Sequence, residues 1–446
     1  MTFTWGLLGP GALPGERRTR TLGVAASVRQ YNELAVPGLG GIWFGKQVLL
    51  ATLGVKVAEL ASPRGGGGVT NIETANAVEA LACWLDLESR QWQADPRLRG
   101  VNKMKGQTDL AFKRLREPRF YVTQPMRMAT VEALPALGLV AASGTRFNAF
   151  ECTDAGELFV TAACEDWRPS NRTVVDHLAK WASSSENVSM KTYALEMALS
   201  PTRALPARAR ALLLERLVSG SGSEPADSRQ RRRDALAWVE TVRSEGRVYP
   251  TWEERPAQIS ASHWHDLHTG ARFVAVRDAA LDVLDTLEAI MANASTGARH
   301  ALSAPVPPAV AQKLAVLRQM AQEFLAAQPR DRIAHAFACE CNGGDDVTVL
   351  RALVARDTRV LRLRGNEVVP GPAFQAHGAA AGATDLDDPG ADAAPPTTQA
   401  TWPENVSFRV RNLFLLNADL QGDLDRWLAT APPTAPITDT LVEEAA

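Results

Sequence analysis

A β-hairpin pattern interrupts a chain that is otherwise patterned for helices, and it is the tightest local constraint on the fold. Two short runs, residues 139–142 and 146–150, flank the turn residues Ser143 and Gly144, which is typical of two antiparallel strands. Thr153 caps a helix after the hairpin, and Thr123 caps one before it. The order of helix, hairpin and helix predicts one small structural unit.

The residues around this hairpin resemble a known DNA-binding domain. Gln107–Arg116 predicts a short amphipathic helix, and a second helix from Thr123 to about Gly138 leads into the hairpin. Leu137-Gly138-Leu139-Val140 and Cys152-Thr153-Asp154-Ala155-Gly156 resemble the wing of winged-helix domains of the MarR and PadR type. That family has leucine where this chain has cysteine at the start of the second motif. The resemblance covers about residues 105–165 and implies a winged helix-turn-helix unit.

Composition sets the fold class of the whole chain. Aromatic residues are only 6% of 446 residues while alanine is abundant, which favours helices over large β-sheets. Domains typically have about 100–200 residues, so several are expected. We therefore predict a mainly α fold with small β-hairpins, in a multi-domain helical protein that contains the winged helix-turn-helix unit.

The sequence also predicts where the protein resides. Five cysteines in a chain of this length exclude a disulfide scaffold and indicate a reducing compartment. The most apolar stretch, Gly41–Leu60, is interrupted by Lys46 and Lys56, and its uncharged part is too short for the ~20 residues of a membrane-spanning helix. With no secretory signal pattern at the N-terminus, we expect a cytoplasmic protein without a membrane partner.

Breaks in the pattern divide the chain into predicted segments. Ser219–Pro225 has the composition of a flexible joint, and residues 347–370 alternate like short strands around Gly365-Asn366, as in a second winged-helix hairpin. The predicted segments are an N-terminal helical domain (1–100), the winged-helix domain (101–165), a helical extension (166–218), a helical C-terminal domain (229–370), a disordered linker (371–402), and a strand and helix with an acidic tail (403–446).

Basic residues are concentrated just before the hairpin. From Arg97 to Arg127 there are nine basic and two acidic residues, a net charge of +7, although the whole chain has a formal net charge of −2. From His377 to Ala446 the net charge is −8. A basic segment that leads into a winged helix is typical of contact with phosphates, so the asymmetry predicts a DNA-binding surface.

The winged-helix interpretation assigns roles to particular residues. The helix from Gln124 would enter the major groove, with Gln124, Arg127 and Thr130 facing bases or phosphates. Arg146 on the wing would reach the minor groove or the flanking backbone. The other candidates are cations of the basic segment: Lys103, Lys105, Lys113, Arg114 and Arg119. The alternative is a winged helix that binds protein.

Two groups of histidine and cysteine residues are secondary candidates for a metal site. The first group is His263, His265 and His268, and the second is His335, Cys339 and Cys341. The first lacks the i, i+4 histidine pair of helical zinc proteases, and the second lacks the second cysteine pair of a zinc ribbon. The favoured interpretation of the first group is a helix start capped by Ser262, and that of the second group is a buried helix end with inert thiols. No metal and no cofactor is therefore expected.

The sequence lacks common enzyme motifs and contains a second basic run. Gly45-Lys46 is followed by Gln47 rather than a hydroxyl residue, so it is not a phosphate-binding loop, and the sequence has no nucleophile-elbow motif. The basic run Arg229 and Arg231–Arg233 is interpreted as a solvated helix face. We expect a protein that is not an enzyme.

Three functional hypotheses follow. The favoured one is a DNA-binding or DNA-associated accessory subunit of a bacterial multi-protein system. Its expected partners are double-stranded DNA and protein subunits. Analogy of fold suggests antiphage defence or mobile-element maintenance as its setting. The second is a protein–protein scaffold or adaptor whose acidic tail docks on a basic partner or on its own basic patch. The third is a metal-dependent hydrolase that uses the His263–His268 cluster.

Overall fold

Helices make up most of the structure, a computed structural model that describes residues 19–62, 68–183, 188–294, 297–374, 384–385 and 398–428. The helices are α1 (Ala25–Ala35), α2 (Gly45–Ala61), α3 (Asn71–Ser89), α4 (Val101–Met104), α5 (Phe112–Leu115), α6 (Ala133–Ala136), α7 (Asp154–Cys164), α8 (Val174–Ser183), α9 (Tyr193–Leu199), α10 (Ala207–Ser219), α11 (Ala226–Glu245), α12 (Ala261–Ala292), α13 (Pro308–Ala326), α14 (Arg332–Asn342), α15 (Asp346–Asp357), α16 (Phe408–Gln421) and α17 (Leu424–Trp427). The strands are β1 (Thr19–Arg20), β2 (Val140–Ala142), β3 (Phe150–Cys152), β4 (His300–Ala301), β5 (Leu361–Arg364), β6 (Glu367–Pro370) and β7 (Thr384–Asp385). The mainly α fold with small antiparallel sheets is as predicted; a short parallel pair, β1 with β7, is added to them.

The central elements of the larger core are α2 and α3. A capping box begins α3, because the Thr70 hydroxyl accepts from the Glu73 amide and the Glu73 carboxylate accepts from the Thr70 amide. Both helices are buried on nearly all sides. They are therefore the centre of a core rather than one outer layer of it.

The helices predicted before the hairpin differ most from expectation. In place of one helix over 107–116, the structure has the single turn α5, and in place of one helix over 123–138 it has a 3-10 turn (Met126–Thr130) followed by α6. Pro125 and Pro135 bracket this stretch, and a proline inside a helix removes a backbone hydrogen bond. The predicted recognition helix is thus wrong as a continuous element.

The hairpin and the helix after it form, but the second strand lies at residues 150–152 rather than at the predicted 146–150. Strands β2 and β3 pair antiparallel, with Val140 opposite Cys152 and Ala142 opposite Phe150. Thr153 caps α7 by accepting from the Gly156 amide at 3.1 Å. The connection is longer than the predicted tight turn, because residues 143–149 include a 3-10 turn over Phe147–Ala149.

Two hydrophobic cores share the chain, and their border lies inside α12. The larger core takes residues from Ala35 through Leu267 and returns to the chain at α16 and α17. The smaller core joins the segment around α1 to residues from Phe273 through Ala373. The boundaries predicted at residues 100, 165 and 218 fall within the larger core, because packing is continuous across them.

Ser219–Pro225, predicted to be a flexible joint, is tied into the structure. The Ser221 amide donates to the carbonyl of Ala136 at 2.8 Å, and the carboxylate of Glu224 pairs with the fully buried Arg232 on α11. Arg232 also donates to the carbonyls of Leu217 and Pro37. The loop is therefore a packed connection between α10 and α11.

The smaller core contains a helical unit followed by a second hairpin. The chain runs through α13, α14 and α15 into β5 and β6, and β4 pairs with the outer side of β6, so that the sheet order is β4-β6-β5. The turn at Gly365-Asn366 is confirmed as the hairpin turn, whereas residues 347–357, predicted as a strand, are helical. Residues 408–428, predicted as a strand and a helix, form α16 and α17.

Several terminal features of the sequence lie outside the described residues. They include residues 1–18, most of the predicted linker at 371–402, and the C-terminal end of the acidic tail from residue 429. The N-terminal strand is anchored: the buried guanidinium of Arg20 pairs with Asp285, Glu288 and Asp357 of the smaller core. None of the described helices combines the length and apolarity that crossing a membrane requires.

Candidate nucleic-acid interface

The basic segment before the hairpin runs along α3. The Trp84 indole donates to the carbonyl of Gln107 at 3.0 Å near one end of the helix, and Arg127 Nε donates to the Asn76 side chain at 2.7 Å in its first half. At the first turn, Arg116 lies 3.3 Å from Glu73. The segment therefore covers one side of α3, and its outward side chains form the protein surface there.

The hairpin loop reaches the same end of α3. The side-chain oxygen of Asn148 accepts from the amide of Ile72 at 2.9 Å, and the Asn71 side chain donates to the carbonyls of Phe147 and Phe150. These bonds hold the loop that carries Arg146 beside the turn of α3 that Arg116 contacts. The hairpin loop and Arg116 of the basic segment thus both contact the first turn of α3.

Five of the predicted contact residues are exposed cations. None of the five pairs with a carboxylate in the described parts of the chain, and together we call them the basic surface: Lys103, Lys105, Lys113, Arg119 and Arg146. Lys103 Nζ donates to the backbone carbonyl of Arg119 at 3.1 Å, which places those two side by side. Cations without carboxylate partners remain available to a phosphate.

Arg114, also predicted to contact DNA, is exposed but partnered. Its guanidinium lies 2.6 Å from the Glu117 carboxylate and 5.1 Å from the centre of the Phe120 ring. An exposed pair of this kind is worth little energetically, and it lowers the positive charge that Arg114 offers to a ligand. Arg114 is therefore a lesser contributor than the basic surface.

The three residues assigned to base recognition do not form an outward-facing helix. Thr130 is fully buried, and Arg127 is turned inward between Asn76 and the Phe147 ring, 5.6 Å from the ring centre. Gln124 is half-buried, and its carbonyl accepts from Arg99 at 2.9 Å. The buried Thr130 therefore does not face outward as predicted, and the half-buried Arg127 is engaged by Asn76 rather than presented on an outward helix face.

The loop before α2 closes over this part of the chain. The amide of Gly41 donates to the carbonyl of Ala129 at 2.8 Å, and a Cβ at Gly40, whose φ is +60°, would lie 2.7 Å from that same carbonyl oxygen. Glycine is needed for so close an approach. The stretch predicted to enter the major groove is therefore covered at Ala129 by another part of the protein, while Met128 beside it is 51% exposed.

A buried network lies between this stretch and α3. Glu79 is fully buried and accepts from the Tyr121 hydroxyl, and burial raises its pKa to about 7 although Arg127 opposes the shift. Burial also lowers the pKa of Arg127. Arg127 is thus part of a half-buried network whose burial disfavours its charge and which Glu79 only partly offsets.

A cleft of about 860 Å³ opens between α5 and α8, beside the basic surface. The rings of Phe112 and Trp181 pack edge to face at its floor, 5.2 Å apart between centroids. Of its rim cations, Arg116 pairs with Glu73 and Lys191 pairs with Glu88. Lys113 joins the cleft to the basic surface.

The histidine candidates for a metal site face different surroundings. His263 is buried and its Nε2 lies 2.9 Å from the carbonyl of Ala35, whereas His265 is exposed. His268 stacks on Trp252 with ring centroids 4.8 Å apart, and burial lowers its pKa to about 4. The two-residue spacing of His263 and His265 turns those rings to different sides of α12, and the ring of His268 is engaged by Trp252.

The second metal candidate is also dispersed. His335 Nδ1 lies 3.6 Å from the Cys339 sulfur on an exposed part of α14, whereas Cys341 is buried, which raises its pKa to about 12. A thiol held protonated is a poor metal ligand. Within the described ranges no three histidine, cysteine or acidic side chains come together as a metal site requires.

The second basic run is engaged in the structure at three of its four arginines, while Arg233 is exposed. Arg232 is fully buried, Arg231 pairs with Asp227 and Asp266, and Arg229 and Arg233 donate to backbone carbonyls. Its sequence signal resembles that of a solvated face, because the Pro37 carbonyl that Arg232 binds and the Asp266 carboxylate that Arg231 binds lie 195 and 35 residues away.

No protein-family model, curated protein or solved structure matches this chain.

Proposed function

We propose that this protein is a non-enzymatic accessory protein that binds the backbone of duplex DNA through the basic surface. The observation that carries the proposal is the set of five exposed cations without carboxylate partners in the described chain, gathered on the segment over α3 and on the adjoining hairpin loop. Contacts from lysine and arginine to phosphates supply most of the affinity of DNA-binding proteins at low salt.

The proposal concerns phosphate contact and not base reading. The stretch from Gln124 is covered by the loop at Gly40 and Gly41, so it offers no helix to a groove. Phosphate contacts position a protein on DNA without reading sequence. We therefore propose binding with little sequence preference, with Arg146 on the hairpin loop as the contact nearest to a wing.

A setting in a bacterial multi-protein system, such as antiphage defence or mobile-element maintenance, remains part of this proposal by analogy of architecture. Such a subunit would combine DNA contact with binding to other proteins. The scaffold hypothesis uses the same surface for a protein partner, and it differs in one measurable respect. A protein complex survives nuclease treatment, whereas a DNA-bridged complex does not.

The test is fluorescence anisotropy of a labelled duplex with the full chain over a series of salt concentrations. Lys103→Glu combined with Lys113→Glu should weaken binding strongly, because both reverse charge within the basic surface. Arg29→Glu is the matched control, since Arg29 is an exposed cation on α1 in the same charge state. Equal affinity in the double variant and in the control would refute the proposal.

A further inference from the structure

Helices α14 and α15 form a helix-turn-helix in the smaller core. They are joined by three residues, Gly343, Gly344 and Asp345, and Gly344 has a φ of +72°. A short turn that contains glycine is characteristic of this motif. Each helix also begins at an aspartate cap: Asp331 accepts from Ala334 at 2.6 Å and Asp345 from Thr348 at 2.8 Å.

The elements around this motif complete a winged-helix arrangement. Helix α13 precedes the pair, the β5–β6 hairpin follows it directly, and β4 adds to the far strand of the hairpin in the order β4-β6-β5. Leu361 and Val368 anchor the inner side of the sheet in the smaller core. In winged-helix proteins, the second helix of the motif enters the major groove and the hairpin flanks it.

The outer face of α15 suits close approach to a groove. Thr348 and Ala355 are exposed and Ala352 is half-buried, so the stripe at this helical spacing is made of small side chains. Arg351 lies on the same stripe and donates to the side chain of Asn366 at the hairpin turn. That bond makes the face of α15 continuous with the tip of the wing.

The wing carries exposed arginines on its outer side. Arg362 and Arg364 alternate with the inward Leu361 and Leu363, and neither forms an ion pair with any residue of the described chain. Glu367 stands opposite Arg364 in the strand register and offsets part of the charge. Arg362 stands opposite Val369, so its charge has no such neighbour across the ladder.

The acidic start of α15 decides which part of the helix would face DNA. Asp345 is engaged as the cap, and the Asp346 carboxylate lies 2.5 Å from Arg318 on α13. These carboxylates repel phosphates at the N-terminal turn. The middle of the helix and the wing, where arginines outnumber acids, are the parts suited to a polyanion.

We propose that α14, α15 and the β5–β6 hairpin form a second duplex-DNA-binding unit, in which the 348–355 face of α15 enters the major groove and Arg362 and Arg364 contact the flanking phosphates. This unit belongs to the smaller core, whereas the basic surface belongs to the larger one. The protein thereby has two contact regions for DNA.

The test uses the full chain and the same labelled duplex. Arg362→Ala combined with Arg364→Ala should reduce the slope of log affinity against log salt by about two, since each phosphate contact contributes about 0.9. Ala355→Glu should weaken binding by about tenfold or more by placing a carboxylate in the groove. Ala315→Glu, an exposed position on α13, is the matched control, and circular dichroism checks that each variant is folded.

The outcomes separate this proposal from the proposed function. Loss of affinity in the α15 and wing variants, with Ala315→Glu unchanged, supports the second unit. Unchanged affinity in those variants, together with a loss in the Lys103→Glu and Lys113→Glu variant, overturns the second unit and leaves the proposed function standing. Loss of a co-purifying protein instead of DNA in the wing variants overturns it in favour of a protein partner.

Discussion

Replacement of Arg232 by methionine tests whether the loop between α10 and α11 is a packed element. The guanidinium is fully buried and makes four hydrogen bonds: to the carbonyls of Leu217 at 2.8 Å and Pro37 at 3.0 Å, and to both carboxylate oxygens of Glu224. Methionine fills much of the volume but leaves the Glu224 carboxylate, only 7% exposed, without its counter-charge. Removing one partner of a buried ion pair costs about 3–5 kcal/mol.

That loss corresponds to an increase of about 150- to 4000-fold in the unfolding equilibrium constant. Urea denaturation followed by tryptophan fluorescence measures it, because Trp238 is buried on the same helix and packs against Trp264 and Trp402. Arg233→Met is the matched control: that exposed neighbour makes one bond to a carbonyl, and surface substitutions usually change stability by about 0.5 kcal/mol or less.

A second variant separates the charge from the packing. The double variant Arg232→Met with Glu224→Gln leaves no uncompensated buried charge, so it should be more stable than Arg232→Met alone. If Arg232→Met unfolds at the same urea concentration as Arg233→Met, the loop is not held as described. Rapid proteolysis of the wild-type loop at residues 219–225 would contradict the structure in the same way.

Three further predictions concern pH, the N-terminal anchor and the hairpin. Burial raises the pKa of Glu79 from 4.5 to about 7, so the folded state holds a proton that the unfolded state releases. The free energy of unfolding should therefore fall as pH rises from 5 to about 8. Glu79→Gln should flatten that slope in urea titrations, and an unchanged slope would refute the assignment. Arg20→Leu leaves three carboxylates without their shared guanidinium and should lower the free energy of unfolding by at least about 3 kcal/mol. Thermal unfolding measures the loss, and no change would show that the strand is not anchored there. Gly156→Ala places a Cβ 2.1 Å from the carbonyl oxygen of Leu139 and should destabilise the protein by about 1–3 kcal/mol. Gly222→Ala, whose Cβ meets nothing within 4 Å, should leave stability unchanged. Equal stability of the two variants would refute the close packing at Gly156.

The local elements were accessible from the sequence because their signals act over a few residues. The Thr153 cap and the first strand of the hairpin each depend on neighbours along the chain, whereas the second strand pairs at residues 150–152 rather than at the predicted 146–150. The helix-turn-helix at 332–357 also has such signals, two aspartate caps around a Gly-Gly turn. Their signal is ambiguous because the alternation of residues 347–357 also suits a strand.

The charged side chains were not accessible in the same way. Arg127, Arg232 and Lys103 are alike in type and lie in similarly basic stretches, yet one belongs to a buried network, one holds a loop, and one faces solvent. The difference comes from partners more than fifty residues away for Arg127 and from the loop carbonyls for Arg232. Sequence spacing contains no record of such partners.

By itself, the sequence determined that this chain is mainly helical, where the hairpin at 140–152 forms, and where its basic residues are concentrated. Only the tertiary structure decided which of those basic residues are free to meet a ligand. The close approach of Gly40 and Gly41 to Ala129 covers the stretch that local patterning predicts as a recognition helix. The physical reason is that helix caps and turns are satisfied within a few residues, whereas burial of a charge depends on distant segments that compensate it.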